Sequence, residues 1–487
     1  MQNDAITPII AVDRKARRPL HQQIYDSYRQ AILGGTLRPG QRIPSTRSLA
    51  TELGVSRMPV LNAYAQLMAE GYFQARSGAG TVISLSLPEE RFVSLNTITA
   101  RTPSRSRRLA RHSSVPSSID NPPWRRQWGA FAIGQVASEQ FPVREWNRMV
   151  MRASRNLWSK PQDYTHPLGV QELREAIASY LRTARSVHCE AEQIMIVNGS
   201  QHALDISARV LLDPGSRVWV EEPGYRYGRY ALALNRCKLL PVPVDEEGLD
   251  VEFGTRRCPN ARAALVTPSH QYPLGMTMSA SRRLNLLDWA ARSGAWILED
   301  DFDSEYRYDG MPISSLQGLD PNQRVIYIGT LSKILFPSLR MGYMVIPADL
   351  VEHFITLRVA MDIGPSTFSQ HILAGFIKEG HFSRHVRRMR LLYRERRNAL
   401  VENIEKYFGE SVTIIGEQAG MHICVLVNGV SDREVVARAA RAGLSLVALS
   451  SCYMGKGARQ GLILGFGSVP ANKMAGAVRK LAAAVAG

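Results

Sequence analysis

The sequence predicts an α/β protein in two unequal parts: a small helical module closed by a strand pair, and a large domain on a mostly parallel sheet. Three observations carry that prediction. Capped helices follow one another between residues 20 and 69, ahead of a strand-like stretch at 72–84. Residues 85–125 lose hydrophobic periodicity and fill with Ser, Pro and Arg. From residue 126 short apolar runs alternate with helical stretches, as in a sheet whose parallel strands are joined by helices. The expected boundaries are 1–84, 85–125 and 126–487.

Composition narrows the function. A chain of 487 residues fits two or three domains, and 45% apolar content suffices for a large core. No apolar run approaches the roughly 20 residues that span a bilayer. The first residues lack a secretory pattern, so no membrane role is expected. Cys189, Cys237, Cys258, Cys424 and Cys452 are scattered without a CxxC. That fits a reducing cytoplasm, with neither a disulfide framework nor a metal site. The net charge of +17 is unevenly placed: residues 1–130 hold 18 Lys/Arg against 8 Asp/Glu, the rest 42 against 35. Such an excess is expected where one end meets phosphate; a solubilising surface is the plainer account.

Leu20, Ile24, Tyr28 and Ile32 recur at helical spacing. Gly34-Gly35 and Pro39-Gly40 end that helix and turn the chain. Ser45 stands at an N-cap position before a short helix with Leu49 and Leu53 inward. Gly54 suits the left-handed residue just past a helix end. Ser56 caps the next helix, and Pro59 falls in its first turn, where a missing N–H is tolerated. Val60, Tyr64, Leu67 and Met68 give that helix a buried face. Two capped helices joined at a glycine make a helix-turn-helix, whose second helix would present Arg57 and Met58 to a major groove. Arg47 and Arg57 could reach guanine edges or phosphates. Residues 72–84 read as two strands around a Gly78/Gly80 turn, a wing. A helical hairpin without a DNA role is the bland alternative.

Residues 85–125 include Thr102-Pro103-Ser104-Arg105-Ser106-Arg107-Arg108 and read as a flexible tether. Its arginines either stay solvated or brush DNA backbone.

In the large domain, strands are expected at Ile194–Val197, Arg217–Val220, Ala264–Val266, Trp296–Leu298, Val325–Ile328 and Tyr343–Ile346. Helices are expected at Ser200–Leu212 and Ala280–Ser293. Ligands in such sheets sit at the carboxyl ends of strands. Gly199-Ser200-Gln201 opens a helix after a strand, where backbone N–H groups accept phosphate, although many such turns look alike. Asp300 at a strand end either caps a loop or pairs with a pyridine nitrogen. Lys333 is a surface lysine or, in an apolar setting, one that forms a Schiff base. Arg340 could grip a phosphate, and Tyr225 could stack on a ring.

Exact wording goes further than these single signals. Pro39-Gly40-Gln41-Arg42-Ile43-Pro44-Ser45-Thr46-Arg47-Ser48-Leu49-Ala50, Leu53-Gly54-Val55-Ser56-Arg57, Glu70-Gly71-Tyr72 and Gly78-Ala79-Gly80-Thr81 resemble the winged-helix domain of GntR regulators. The resemblance implies that Ser45, Arg47, Ser56, Arg57, Met58, Gly78 and Gly80 face DNA. Val197-Asn198-Gly199-Ser200-Gln201, Glu221-Glu222-Pro223-Gly224-Tyr225, Thr267-Pro268-Ser269-His270-Gln271-Tyr272-Pro273, Leu298-Glu299-Asp300-Asp301-Phe302-Asp303 and Gly329-Thr330-Leu331-Ser332-Lys333 resemble type I aminotransferases, most closely the MocR/GabR subfamily of GntR regulators.

That second resemblance implies a fold type I domain with a smaller C-terminal α+β subdomain and pyridoxal 5′-phosphate (PLP) as cofactor. It implies Lys333 as the Schiff-base lysine, Asp300 as partner of the pyridine nitrogen and Tyr225 as the stacking ring. Ser200, Gln201, Thr330, Ser332 and Arg340 surround the phosphate. Tyr272 lies near the ring oxygen, and Tyr164 serves the neighbouring subunit's phosphate in a head-to-tail homodimer. Two departures stand out. Phe302 replaces the tyrosine that supports the ring oxygen, a loss of about 1 kcal/mol. Ile463 stands where relatives carry a carboxylate-binding arginine, with Arg459 nearby. The expected function is a PLP-dependent regulator that binds operator DNA with repeated half-sites and senses a small amine, amino acid or vitamer. A working aminotransferase carrying a DNA-targeting module is the alternative.

Overall fold

The structure is a computed structural model that describes residues 10, 12–14, 16, 18–76, 80–85, 129–157, 164–308 and 313–487. Gly78 and nearly all of the expected 85–125 tether lie outside them. The chain divides into two compact units, Met1–Arg108 and Leu109–Gly487.

The first unit holds α1 (Leu20–Leu33), α2 (Thr46–Glu52), α3 (Arg57–Ala69), β1 (Phe73–Arg76) and β2 (Gly80–Ile83). Tyr28, Tyr64 and Phe73 meet edge-to-face with centroids 5.1–5.6 Å apart. The two tyrosine hydroxyls are satisfied inside the core: Tyr28 bonds Tyr64 at 3.0 Å, and Tyr64 donates to the Pro44 carbonyl at 3.0 Å. Ser45 caps α2 by accepting from the Ser48 N–H at 3.1 Å. Gly54 takes the left-handed conformation, φ +63°, just past the end of α2. Ser56 occupies the cap position of α3 without a side-chain bond. Met68, expected inward, is 38% exposed, and Ala63 joins Val60, Tyr64 and Leu67 in the core instead. Eight residues beyond Val60, Met68 is rotated about 80° from it, past the edge of the buried stripe. β1 and β2 pair antiparallel, Phe73 opposite Ile83 and Arg76 opposite Gly80, so Gly80 opens a strand and is not the turn itself.

The second unit runs α4 (Val143–Leu157), α5 (Gln171–Arg185), β3 (Ile194–Val197), α6 (Ser200–Leu211), β4 (Arg217–Glu222), α7 (Arg226–Leu234), β5 (Lys238–Asp245), β6 (Gly248–Leu249), α8 (Val251–Arg257), β7 (Ala263–Val266), α9 (Ala280–Ser293), β8 (Trp296–Asp301), β9 (Val325–Thr330) and β10 (Gly342–Val345). These strands form one sheet in the order β3-β10-β9-β8-β7-β4-β5-β6. β10 and β6 run antiparallel to their neighbours, and the others are parallel, so the sheet is mixed. Alternation along β4 sends Val218 and Val220 into a core shared with Ala203 and Leu204 of α6. Trp219 faces the other way, stacked on Trp289 of α9 at 3.9 Å.

Then come α10 (Val351–Asp362), α11 (Phe368–Lys378), α12 (His381–Phe408), β11 (Val412–Ile415), β12 (His422–Val427), α13 (Asp432–Arg441), β13 (Val447–Ala448), β14 (Gly461–Gly465) and α14 (Ala471–Ala486). The last four strands make an antiparallel sheet, β11-β12-β14-β13, and α12 and α14 pack in the core beside it. Three strands run on past the ends of their apolar runs, β4 among them, to Glu222. β8 continues to Asp301, paired with Gly329, and β9 to Thr330, paired with Gly342. The ladder continues through polar residues that hydropathy cannot register, and it carries Asp300 and Thr330 within the sheet.

Candidate functional site

The expected pocket residues gather at the carboxyl ends of β3, β4, β8 and β9. Gly199 turns β3 into α6 with φ +85°, and a Cβ there would lie 3.1 Å from Nη2 of Arg340. Arg340 is itself left-handed, φ +47°, and donates to the Asn198 carbonyl at 3.1 Å. Ser200 and Gln201 therefore begin α6 beside a guanidinium, at the positive end of the helix. Gln201 Nε2 is buried with no partner. Ser332 Oγ is likewise buried and unpartnered, while the Ser332 N–H bonds Thr330 Oγ1 at 3.3 Å.

Asp300 is 3% exposed, and its Oδ1 has no partner. Burial raises its carboxyl to about 7; Asp301, Glu221 and Asp303 add to the rise and Lys333 opposes it. Tyr225 is pushed above its ordinary range by burial and by Asp300, and its ring lies 5.8 Å from that of Tyr272. Lys333 is half-buried against Gly134. A Cβ on Gly134 would stand 2.0 Å from the Lys333 Nζ, and its φ of +75° also favours glycine. Tyr164 is 81% exposed, away from burial in its own chain's pocket.

Buried polar atoms without partners are costly, and each points to what completes it. Gln201, Ser332, Arg340 and the N-terminus of α6 offer donors suited to a phosphate dianion. Asp300 offers an acceptor suited to a protonated pyridine nitrogen, and the shared proton would lift the burial cost. The residues present fit PLP.

Sequence reasoning missed several neighbours. Gly134 lies two hundred residues from Lys333 in sequence, and nothing local marks it. Glu221 accepts from the Thr267 N–H (3.0 Å), the Thr267 hydroxyl (2.7 Å) and Gln271 (3.1 Å), and burial still lifts it to about 7. Asp301 accepts from Arg185 (2.9 Å) and Tyr327 (2.6 Å), pinning the end of β8. His270, Asp303 and His422 form a buried cluster whose donor atoms lie within 4.8 Å, a set that could hold a metal ion. Hydrogen bonds already engage it: Asp303 takes His270 Nδ1 (3.0 Å) and the Met421 N–H (3.1 Å), and His422 meets the Pro273 carbonyl (3.3 Å). Burial lowers His422 to about 3, so it is neutral. Phe302 packs in this cluster, 5.9 Å from the His270 ring. Ile463 is buried on β14 opposite Cys424, and Arg459 is exposed.

In the first unit Ser45, Arg47, Ser56, Arg57 and Gly80 are exposed, and Met58 is 61% exposed at the head of α3. Arg57 Nε donates to Thr46 Oγ1 at 3.2 Å, which draws the starts of α2 and α3 together. A Cβ on Gly80 would lie 3.6 Å from Arg42 Nη2, placing another cation beside the strand pair.

The aminotransferase class I and II family matches residues 130–460, and the family of bacterial regulatory proteins called gntR matches residues 20–83. The chain is 40% identical to the probable rhizopine catabolism regulatory protein MocR of Rhizobium meliloti, over 98% of this chain and 96% of that protein. It is 34% identical to the pyridoxine biosynthesis regulator PdxR of Corynebacterium glutamicum, over 94% of each. Among solved structures it is similar to kynurenine aminotransferase from Pyrococcus horikoshii, with TM-score 0.71 and 26% identity over 79% of this chain and 98% of that one. It is also similar to the α-aminoadipate aminotransferase LysN of Thermus thermophilus, with TM-score 0.70 and 26% identity over 77% and 96%.

Proposed function

The chain belongs to the gntR family of regulators in its MocR-like form, with an aminotransferase class I and II domain, and from that premise we propose that PLP held at Lys333 makes its DNA binding respond to a small amine, amino acid or vitamer. The observation that carries the reading is Asp300, a buried carboxyl raised to about 7 with an unpartnered oxygen close enough to feel the Lys333 charge. PLP, when bound, supplies an electrophilic carbon and an electron-withdrawing ring. Lys333 supplies the attacking amine, and Gly134 leaves it room. Asp300 holds the proton on the ring nitrogen, Tyr225 covers the ring, and Tyr272 lies by its oxygen. Ser200, Gln201, Thr330, Ser332 and Arg340 orient the phosphate, joined by Tyr164 of a neighbouring subunit in a homodimer.

Residues 1–84 act as the DNA-reading domain, 85–125 as the tether and 126–487 as the sensing domain of a cytoplasmic regulator. Ser45, Arg47, Ser56, Arg57, Met58, Gly78 and Gly80 form the face turned to repeated half-sites. Ile463, an apolar residue in place of the carboxylate-binding arginine, favours effectors that lack an α-carboxylate. The name of the MocR relative refers to rhizopine catabolism and that of PdxR to pyridoxine biosynthesis, so amines and vitamers are the first effectors to try. Lys333→Ala should abolish borohydride-trappable PLP while DNA retardation persists. PLP retained covalently in that variant would refute the site. A spectral titration of the PLP-loaded chain with amines, amino acids and vitamers then identifies the effector.

A further inference from the structure

A surface helix ordinarily sets polar residues opposite its core face, and α3 of the first unit does not. Val60, Ala63, Tyr64 and Leu67 are buried in the core of that unit. Met58, Leu61 and Ala65 are all exposed. At about 100° per residue these three fall within about 60° of arc, on the opposite face. Among the described residues of the first unit, five large apolar side chains stand exposed: Leu33, Met58, Leu61, Met68 and Leu85. Three of the five lie on α3, so the exposed apolar surface is gathered there and not scattered singly.

Charge frames the head of this stripe. Arg57 is the only charged residue of α3 and directly precedes Met58. Its Nε donates to Thr46 Oγ1 at 3.2 Å, and Arg47, next to Thr46, is exposed. Guanidinium groups beside an apolar stripe match a DNA major groove. Phosphates line the rims, and the C5-methyl of thymine is the apolar group that the bases present within. The charge at its head makes an apolar protein surface the poorer occupant. Met58 and Leu61 lie about 4.5 Å apart along the helix axis, close to the roughly 3.4 Å step between base pairs.

We propose that Met58 and Leu61 read thymine methyl groups on neighbouring base pairs of the operator. The inference rests on the regulator reading, which brings α3 to DNA. Covering a methyl with either side chain removes apolar surface from water on both partners. Cytosine has only a hydrogen where thymine has its methyl, so the contact carries sequence information that a phosphate contact lacks.

The test starts from duplexes that the PLP-loaded full chain selects from a random-sequence library. These are remade with deoxyuridine in place of thymidine at one position at a time, which keeps the base pair and removes only the methyl. At two neighbouring positions the replacement should weaken binding about fourfold, the worth of one buried methyl group. Met58→Ala should abolish the penalty at one of them and Leu61→Ala at the other, a non-additivity that marks direct contact. Arg57→Ala should bind more weakly and keep both penalties. An unchanged unfolding midpoint establishes that the variants are folded. No penalty at any thymine, with Arg57→Ala still impaired, would overturn the methyl contacts and leave the winged helix standing. Equal penalties in wild type and Met58→Ala/Leu61→Ala would also overturn them, since the methyl would then act through DNA shape. A double variant altered in oligomeric state but not in uracil sensitivity would assign the stripe to a second copy of the chain instead. A chain that selects no duplex at all would overturn the regulator reading as well.

Discussion

The two units of this chain solve opposite problems. In the large unit the functional groups place buried atoms without partners, Oδ1 of Asp300, Nε2 of Gln201 and Oγ of Ser332, and the Asp300 carboxyl is raised as well. In the first unit the two core tyrosine hydroxyls are satisfied within the core, Tyr28 by Tyr64 and Tyr64 by Pro44, and the functional side chains stand exposed. A pocket that fixes a small molecule must desolvate its groups in advance. A surface that meets a long polyanion can leave them in water until the partner arrives.

That contrast is most sharply broken by Tyr64→Ala. Removing a buried ring at the centre of the first unit should cost about 3–5 kcal/mol. DNA retardation should vanish while the PLP absorbance stays; loss of both would show that the units do not fold independently. Asp300→Ala is the converse. It removes a bond to a charged group, about 1.5–3 kcal/mol, so PLP should bind roughly 10- to 100-fold more weakly with unfolding of the first unit unchanged. Arg57→Ala should weaken operator binding by about 1–3 kcal/mol and leave the PLP spectrum alone. Ser45→Ala, which deletes a cap, should lower the first unit's stability by about 1 kcal/mol, read as a shifted midpoint.

A smaller effect separates the units by pH. Asp300, Glu221 and Glu299 are raised to about 7 by burial. Folding therefore takes up protons, and the stability these groups contribute is present below about pH 4 and lost as pH rises through 7. His422 and His385, lowered to about 3 and 4, act in the opposite sense but only below their ordinary value of 6.5. Between pH 6.5 and 7.5 the cofactor-free large unit should lose stability, and added PLP should reduce the loss by engaging Asp300. A first unit with the same slope in that window would contradict this account.

Much of this was legible in the residues. Caps and glycines placed α2 and α3 to within a residue, because Ser45 and Gly54 act through local backbone geometry. Lys333, Asp300 and Arg340 were each weak signals; their shared order with a known family is what gave them weight. Met68 was misplaced because a stripe only a few residues wide leaves its edge undefined. Gly134, Glu221 and the His270–Asp303–His422 cluster were missed because none sits in a pattern that a single segment can display.

The sequence alone settled what depends on neighbours along the chain: helix ends, the strand pair, the alternation of the large unit and the motif wording that marks its family. The tertiary structure alone decided which distant residues meet. It set Gly134 against Lys333 and left Oδ1 of Asp300 buried without a partner. Burial and desolvation are properties of a folded volume, and a linear pattern does not contain them.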